Sequence, residues 1–594
     1  MSEAPAWKRR FTAPTIRFPS WAAGAPSRLA YVSNEHGSLQ AWSHDLSTGE
    51  RRRLSEEHVG VEEALVTPDG SQVLWWQDAT GSERGRWVAA PFEGGDPAPF
   101  IAGVPEGWNM GMDMVGSVTA AGLALDDGTY AVFAAREGEP ARELYRNARP
   151  AGVAIEWESG RGGLSADGSL VCIRHAERGD IEHYALRVLD TAGEPIGEQW
   201  DEGLNLLPGA WSPIEGDLRL LIRHEREGLE RPAIWDLATG ERRDLSIDLP
   251  GGVEPLGWWP DASAILLLQD HEGRHSLYRL DLGGGVPELV VAPEGTVSGA
   301  AVRSDGSVWY RAESGAGAAR ILSTSGEEVV APEGDPAPDG QPYRSIRFEN
   351  PKGQSIHGFV VTPPGEGPHP IVLSVHGGPN WHWRDGFDPM TQAFVDHGFA
   401  VALVNYRGST GYGTEFREAL KGNIGFPETE DTLAALDHLT AEGVADPDRA
   451  FIEGYSWGGY ITLLAIGLHP DRFRAAVAGI PVGDYVAAHY ECSPPLREWD
   501  LATLGGSPAD LPELYHKRNP MTYVDRVRAP VLVIAGMNDS RCPIGQVMAW
   551  VTARRGRGGR VDLHLYDTGH HAMSIDEQLR EAELELGFLL EHNA

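Results

Sequence analysis

The sequence predicts an N-terminal all-β propeller of seven blades followed by a C-terminal α/β domain with a largely parallel sheet. Three observations carry this reading: Asp-Gly turns recur through the first half, one hairpin is nearly duplicated, and apolar runs become continuous in the second half. At 594 residues the chain exceeds one ordinary domain.

Up to about residue 335, short alternating apolar segments are punctuated by turns. They are GAPSRLAYVS from Gly24, TPDGSQVLWW at 67–76, LDDGTYAVFA from Leu125, SADGSLVCIR at 165–174, WSPIEGDLRLLI at 211–222, WWPDASAILLL at 258–268 and RSDGSVWY at 303–310. A spacing of roughly 40 to 58 residues is close to the period of one four-stranded blade. DLSTGERRRL (45–54) and DLATGERRDL (236–245) agree at eight of ten positions, about four blade periods apart, and DLGGGVPELV follows at 281. Each copy reads as a strand, a tight turn and the next strand. An irregular β-rich domain is the alternative.

APEGDPAPDGQPY (331–343) is rich in Pro, Gly and Asp and reads as a connector. Beyond it, apolar runs alternate with helical patterns, as a parallel sheet covered on both faces requires. Candidate strands are PIVLSV (370–375), FAVALVN (399–405), RAFIEG (449–454), RAAVAG (474–479), PVLVIAG (530–536) and VDLHLY (561–566). Helices are expected at 428–443 and 575–592. The expected division is an N-terminal segment at 1–20 packing on the second domain, a propeller at 21–335 and the α/β domain at 336–594.

Eighty-six acidic against 50 basic residues give a formal charge of −36. That argues against nucleic-acid or anionic-membrane partners, which need positive potential. Three scattered cysteines (Cys172, Cys492, Cys542) form neither a disulfide framework nor a CxxC zinc pair, so a reducing, cytoplasmic setting is expected. The opening MSEAPAWKRRFTAPTIRF lacks the apolar stretch of a signal peptide, and no apolar run is long enough to span a bilayer.

Gly454-Tyr455-Ser456-Trp457-Gly458 fits G-x-S-x-G, with an apolar strand leading in and the helical GYITLLAIGLH (459–469) leading out. This is the strand–turn–helix context of a nucleophile elbow in an α/β-hydrolase domain. A serine needs a base, and the base an orienting carboxylate; in this fold they follow in the order Ser, acid, His. Asp539, just after the apolar strand 530–536, is the candidate acid, although a loop aspartate is commonly a turn former. GHH at 569–571 offers His570 as base, with His571 as fallback. Gly378, in His376-Gly377-Gly378-Pro379, and Trp457 are the candidate oxyanion donors; a simple tight turn is the alternative for the former.

HGGPN (376–380), NYRGSTGYG (405–413), GYSWGGY (454–460), NPMTYVDRVRAPVLVIAGMNDSRCP (519–543) and GHH (569–571) together resemble the prolyl oligopeptidase family of serine peptidases, most closely its acylaminoacyl-peptidase branch. The resemblance covers about the last 250 residues; over the first half it is architectural only. It implies a Ser456–Asp539–His570 triad, a propeller that caps the site and admits only short peptides or small amides, and assembly into homo-oligomers. It also implies Arg541, from an NDSR-like stretch, as a substrate contact, although a surface arginine fits the sequence as well. Tyr485 and Trp381 are further candidate substrate contacts; the aromatic cluster of Trp381, His382 and Trp383 also fits an interface core. No glutamate pair of the kind dipeptidyl-peptidase relatives use to hold a free N-terminus stands out.

The expected chemistry is acyl transfer through an acyl-enzyme, with no metal and no cofactor. The rivals are an esterase, aryl amidase or antibiotic-amide hydrolase acting on small molecules, and a propeller scaffold carrying a spent hydrolase.

Overall fold

The computed structural model describes residues 4–155 and 162–594; the first three residues of the 1–20 segment, and 156–161 within the propeller span, lie outside them. Seven successive four-stranded units occupy 20–53, 64–99, 107–147, 151–199, 206–244, 252–291 and 296–330. The second and third units merge into one eight-stranded sheet, because Gly107–Val115 pairs with Val118–Ala124 and also meets the second unit at Arg84↔Trp108 and Gly85↔Gly107.

The repeated turns have a local cause. Asp69, Asp127, Asp167, Asp261 and Asp305 each accept a hydrogen bond from the amide two residues on, at 2.9–3.1 Å. The aspartate thereby closes the turn by itself, before any blade contact forms. The duplicated hairpin also has one geometry in both copies: Asp45 pairs with Glu50 in the first unit, Asp236 with Glu241 in the fifth.

The second domain contains eight strands: β1 (Arg344–Glu349), β2 (Ser355–Val361), β3 (His369–Val375), β4 (Ala400–Asn405), β5 (Ala445–Tyr455), β6 (Ala476–Gly479), β7 (Val531–Gly536) and β8 (Val561–Tyr566). Their order is β1-β2-β4-β3-β5-β6-β7-β8, parallel from β4 onward and antiparallel at β1 and β2. Alternate residues feed separate cores on the two faces: Ile371, Leu373 and Val375 face one, Val372 the other. Both faces are covered, so β4 and β7 are buried at every position. β1 and β2 are absent from the sequence expectation because polar and apolar residues mix along Arg344–Glu349. The helix Ala6–Thr12 lies against this domain, where Arg10 bonds Asp396 Oδ2 (2.6 Å) and the carbonyls of Pro338 (3.1 Å) and Asp339 (2.7 Å). Among the described residues no helix is long and apolar enough to cross a membrane.

The arginine of NYRGS anchors the turn after β4. Buried Arg407 binds fully buried Asp431 through its backbone amide (2.8 Å), Nε (2.9 Å) and Nη2 (2.8 Å), and Asn350 Nδ2 completes the carboxylate's shell (3.0 Å). Removing one partner of a buried pair leaves the other charge uncompensated. Arg407→Met is expected to destabilise this domain by about 3–5 kcal/mol in urea unfolding; an unchanged midpoint would show that Asp431 does not depend on the pair.

Candidate active site

Three strand ends meet at one point. β5 ends at Tyr455, Ser456 adopts φ 57°, ψ −117°, and the buried helix Trp457–Leu468 starts at the next residue. A non-glycine residue in this region stores roughly 1–3 kcal/mol of strain, which persists only where the surroundings fix it. They do so here by close approach: any Cβ at Gly458 would collide with the Val375 carbonyl of β3, so the helix can begin this near the sheet only with glycine there. Ser456 Oγ therefore stands at the sheet's carboxyl edge, half-buried.

Asp539 follows β7 and His570 follows β8. His570 Nε2 lies 2.9 Å from Ser456 Oγ, and Nδ1 lies 2.7 Å from Asp539 Oδ2. The other Asp539 oxygen accepts the amides of Arg541 and Cys542, both at 2.8 Å. Burial pushes this carboxyl up. The His570 charge and hydrogen bond, with the two amides, outweigh it and hold the pKa below the usual carboxylate range. An ionised Asp539 fixes the proton on Nδ1 and leaves the Nε2 lone pair for the serine proton. His571 turns into the open space beside the pair, its ring edge-on to His570 at 4.6 Å.

The Trp457 amide is the first N–H of its helix, one of the donors that helix geometry leaves without an intrahelical partner. Its side chain is locked by Tyr460, Tyr485 and Trp499, and its indole N–H reaches buried Glu428 (3.2 Å). The Gly377-Gly378 turn lies alongside: a Cβ on Gly377 would stand 3.5 Å from Ser456 Cβ and 3.9 Å from the Trp457 nitrogen. His376 is not part of the proton path. Its ring stacks on Tyr406 at 4.0 Å, Nε2 meets Ser409 Oγ at 2.9 Å, and burial pushes its pKa down to about 3.

The site opens into a cavity of about 950 Å³ whose opposite wall is the propeller, including Trp76, Met112, Trp211 and Trp258. Arg541 reaches across to Glu83 (2.6 Å), so its charge is already countered. Tyr485 does not line this cavity: it is buried behind Trp457, donating its hydroxyl to Asp500 (2.8 Å). Trp381 is 40% exposed beside His376 and Trp383 and also lies off the cavity wall. His382 belongs to the domain interface, with Nε2 2.9 Å from Asp270 of the sixth unit.

The sequence reading missed an acidic wall. Glu62, Glu63 and Glu83 line the cavity, the first two being neighbours along the chain. Burial, then the charge of Glu62, push the Glu63 carboxyl up to about 7 against the pull of Arg17. The available signal was position: VEEALV runs into Ala64–Val66, the first strand of the second unit.

Two substitutions test this geometry. Asp539→Asn is expected to keep the fold by circular dichroism while lowering kcat by about 10⁴, since the amide favours the wrong tautomer. Gly569 abuts Gly81 of the propeller so closely that a Cβ would collide with the Gly81 carbonyl. Gly569→Ala is therefore expected to displace the His570 loop and lower kcat more than it alters KM for a small chromogenic ester; wild-type kcat would show that the loop tolerates the shift.

Residues 385–594 match the family model described as the prolyl oligopeptidase family. Acylamino-acid-releasing enzyme 2 of Oryza sativa subsp. japonica is 30% identical over 228 residues, covering 37% of this chain and 29% of that protein, so the likeness spans less than a third of the relative. Two solved structures share the fold across both domains. A puromycin hydrolase superposes with a TM-score of 0.83 at 21% identity, covering 99% of this chain and 96% of that one. The Pyrococcus horikoshii acylaminoacyl peptidase gives 0.71 at 18% identity, covering 98% and 96%. The matched stretch begins just past the Gly377-Gly378 turn and contains Ser456, Asp539 and His570; over this C-terminal domain the chain is similar to the prolyl oligopeptidase family.

Proposed function

We propose that the protein is a cytoplasmic serine peptidase that hydrolyses short peptides or small amides, in the manner of acylaminoacyl peptidases. The observation that carries this is the unbroken hydrogen-bond chain Asp539–His570–Ser456, whose His570 lines the cavity facing the propeller. In the reaction, His570 takes the serine proton as Oγ attacks the substrate carbonyl, and Asp539 stabilises the imidazolium. The Gly378 and Trp457 amides hold the oxyanion. His570 then protonates the departing amine, and water, activated by the same imidazole, releases the acyl group. Residues 21–335 act as the cap that excludes large substrates, and 336–594 carry the chemistry. Three free, buried cysteines favour a reducing compartment. Homo-oligomers, expected from the family resemblance, are read directly by light scattering.

A second reading concerns the substrate's amino end. The acidic wall of Glu62, Glu63 and Glu83 suits a cationic group, such as a free α-amine or an aminoacyl antibiotic like the substrate named for the puromycin hydrolase neighbour. The acylaminoacyl-peptidase likeness favours a blocked end instead.

Rates for acyl-aminoacyl anilides, free aminoacyl anilides and p-nitrophenyl esters separate the readings, with Ser456→Ala as the control. Anilides are expected to be cleaved by the wild type only; turnover of esters alone would demote the peptidase reading. If the acidic wall binds the amine, KM for free aminoacyl substrates rises as pH falls through about 7, where Glu63 becomes protonated and neutral. KM for blocked substrates stays level over that range.

A further inference from the structure

One side chain beside the triad has no part in acyl transfer. Cys542 is buried, and its backbone amide holds Asp539 (2.8 Å) while its thiol reaches the Ser456 side chain. Asp539, Cys542 and His570 each offer a donor atom, all within 4.8 Å of one another. The imidazole is arranged as metal-binding histidines usually are: Nδ1 is tied to a carboxylate, which fixes the ring and leaves the Nε2 lone pair outward. Zinc–sulfur and zinc–imidazole bonds of about 2.3 and 2.1 Å put two donors of one tetrahedral ion about 3.6 Å apart, so donors within 4.8 Å of one another must draw together by about 1 Å at most to share it.

We infer that Cys542 and His570, with Asp539 behind the ring, form a binding site for a thiophilic divalent cation such as Zn²⁺ or Cd²⁺, and that the ion reversibly silences Ser456. Binding replaces the Cys542 S–H bond with a sulfur–metal bond and releases the thiol proton to solvent. The Nε2 lone pair goes to the metal instead of the serine proton. Nothing is oxidised or reduced. Ser456 Oγ and water fill the remaining tetrahedral positions. The cation reaches the site through the cavity, whose wall includes His570 and the carboxylates of Glu62, Glu63 and Glu83. Burial, then the Asp539 charge, push the Cys542 thiol well above its ordinary pKa. The resting side chain is therefore a neutral thiol, a poor target for alkylation, and a dication in contact with the sulfur supplies the charge that ionises it.

The test is a Cd²⁺ titration of the full chain, read by the ultraviolet thiolate-to-cadmium absorbance and, in parallel, by ester hydrolysis with EDTA reversal. The wild type is expected to gain the band and lose activity together, with both restored by EDTA. Ser456→Ala should keep the band, so metal binding is read even where the catalytic assignment fails. Cys542→Val, with Cys542→Ser as a second variant should valine disturb folding, should lose the band and raise the inhibitory concentration at least about tenfold. Cys492→Ser should retain both effects. No band in the wild type, or full inhibition retained in both Cys542 variants, overturns the inference.

Discussion

A backbone reversal at Ser456 is the constraint on which the rest of the site depends. The residue stands at φ 57° between a buried strand and a buried helix, and neither element can relax without dislodging its core. Gly458 against the Val375 carbonyl sets how near the helix starts to the sheet. That closeness brings Oγ, the Trp457 amide and the Gly377-Gly378 turn together. Local strain of a few kcal/mol at most is held by a far larger area of packed surface.

The parallel sheet does the remaining alignment. β5, β7 and β8 run side by side through β6 and end at one edge, so the loops after them fall within bonding distance although Ser456 and His570 lie 114 residues apart. Each loop is then pinned separately. Two amides hold Asp539, the Tyr566 hydroxyl holds the His570 carbonyl (3.1 Å), and the Gly81–Gly569 contact presses the histidine loop against the propeller. The first half of the chain thus borders the His570 loop directly and also walls the cavity.

Electrostatics divide the cavity unevenly. Arg541 is countered by Glu83, whereas Glu62 and Glu63 repel one another in a confined space, and one of them titrates near neutrality. An excess of carboxylates facing the cavity favours positive charge there. Cys542 sits where a metal cation would find a soft donor beside the imidazole.

The sequence by itself determined whatever depends on neighbours along the chain. The propeller turns are legible because each aspartate bonds an amide two residues away. The central strands are legible because burial on both faces demands unbroken apolar runs such as VLVIAG. The order of elbow, acid and histidine follows from the order of those strands. Which side chains face the cavity was decided only by tertiary structure. Tyr485 is aromatic and near the site in sequence, yet its helix turns it into the core behind Trp457. Glu62 and Glu63 look like surface acids in the sequence and become cavity wall because the innermost strands of a propeller point toward its axis. Cys542 carries no signal in the sequence, since its place beside His570 is set by the pairing of β7 with β8, an interaction between residues far apart in the chain.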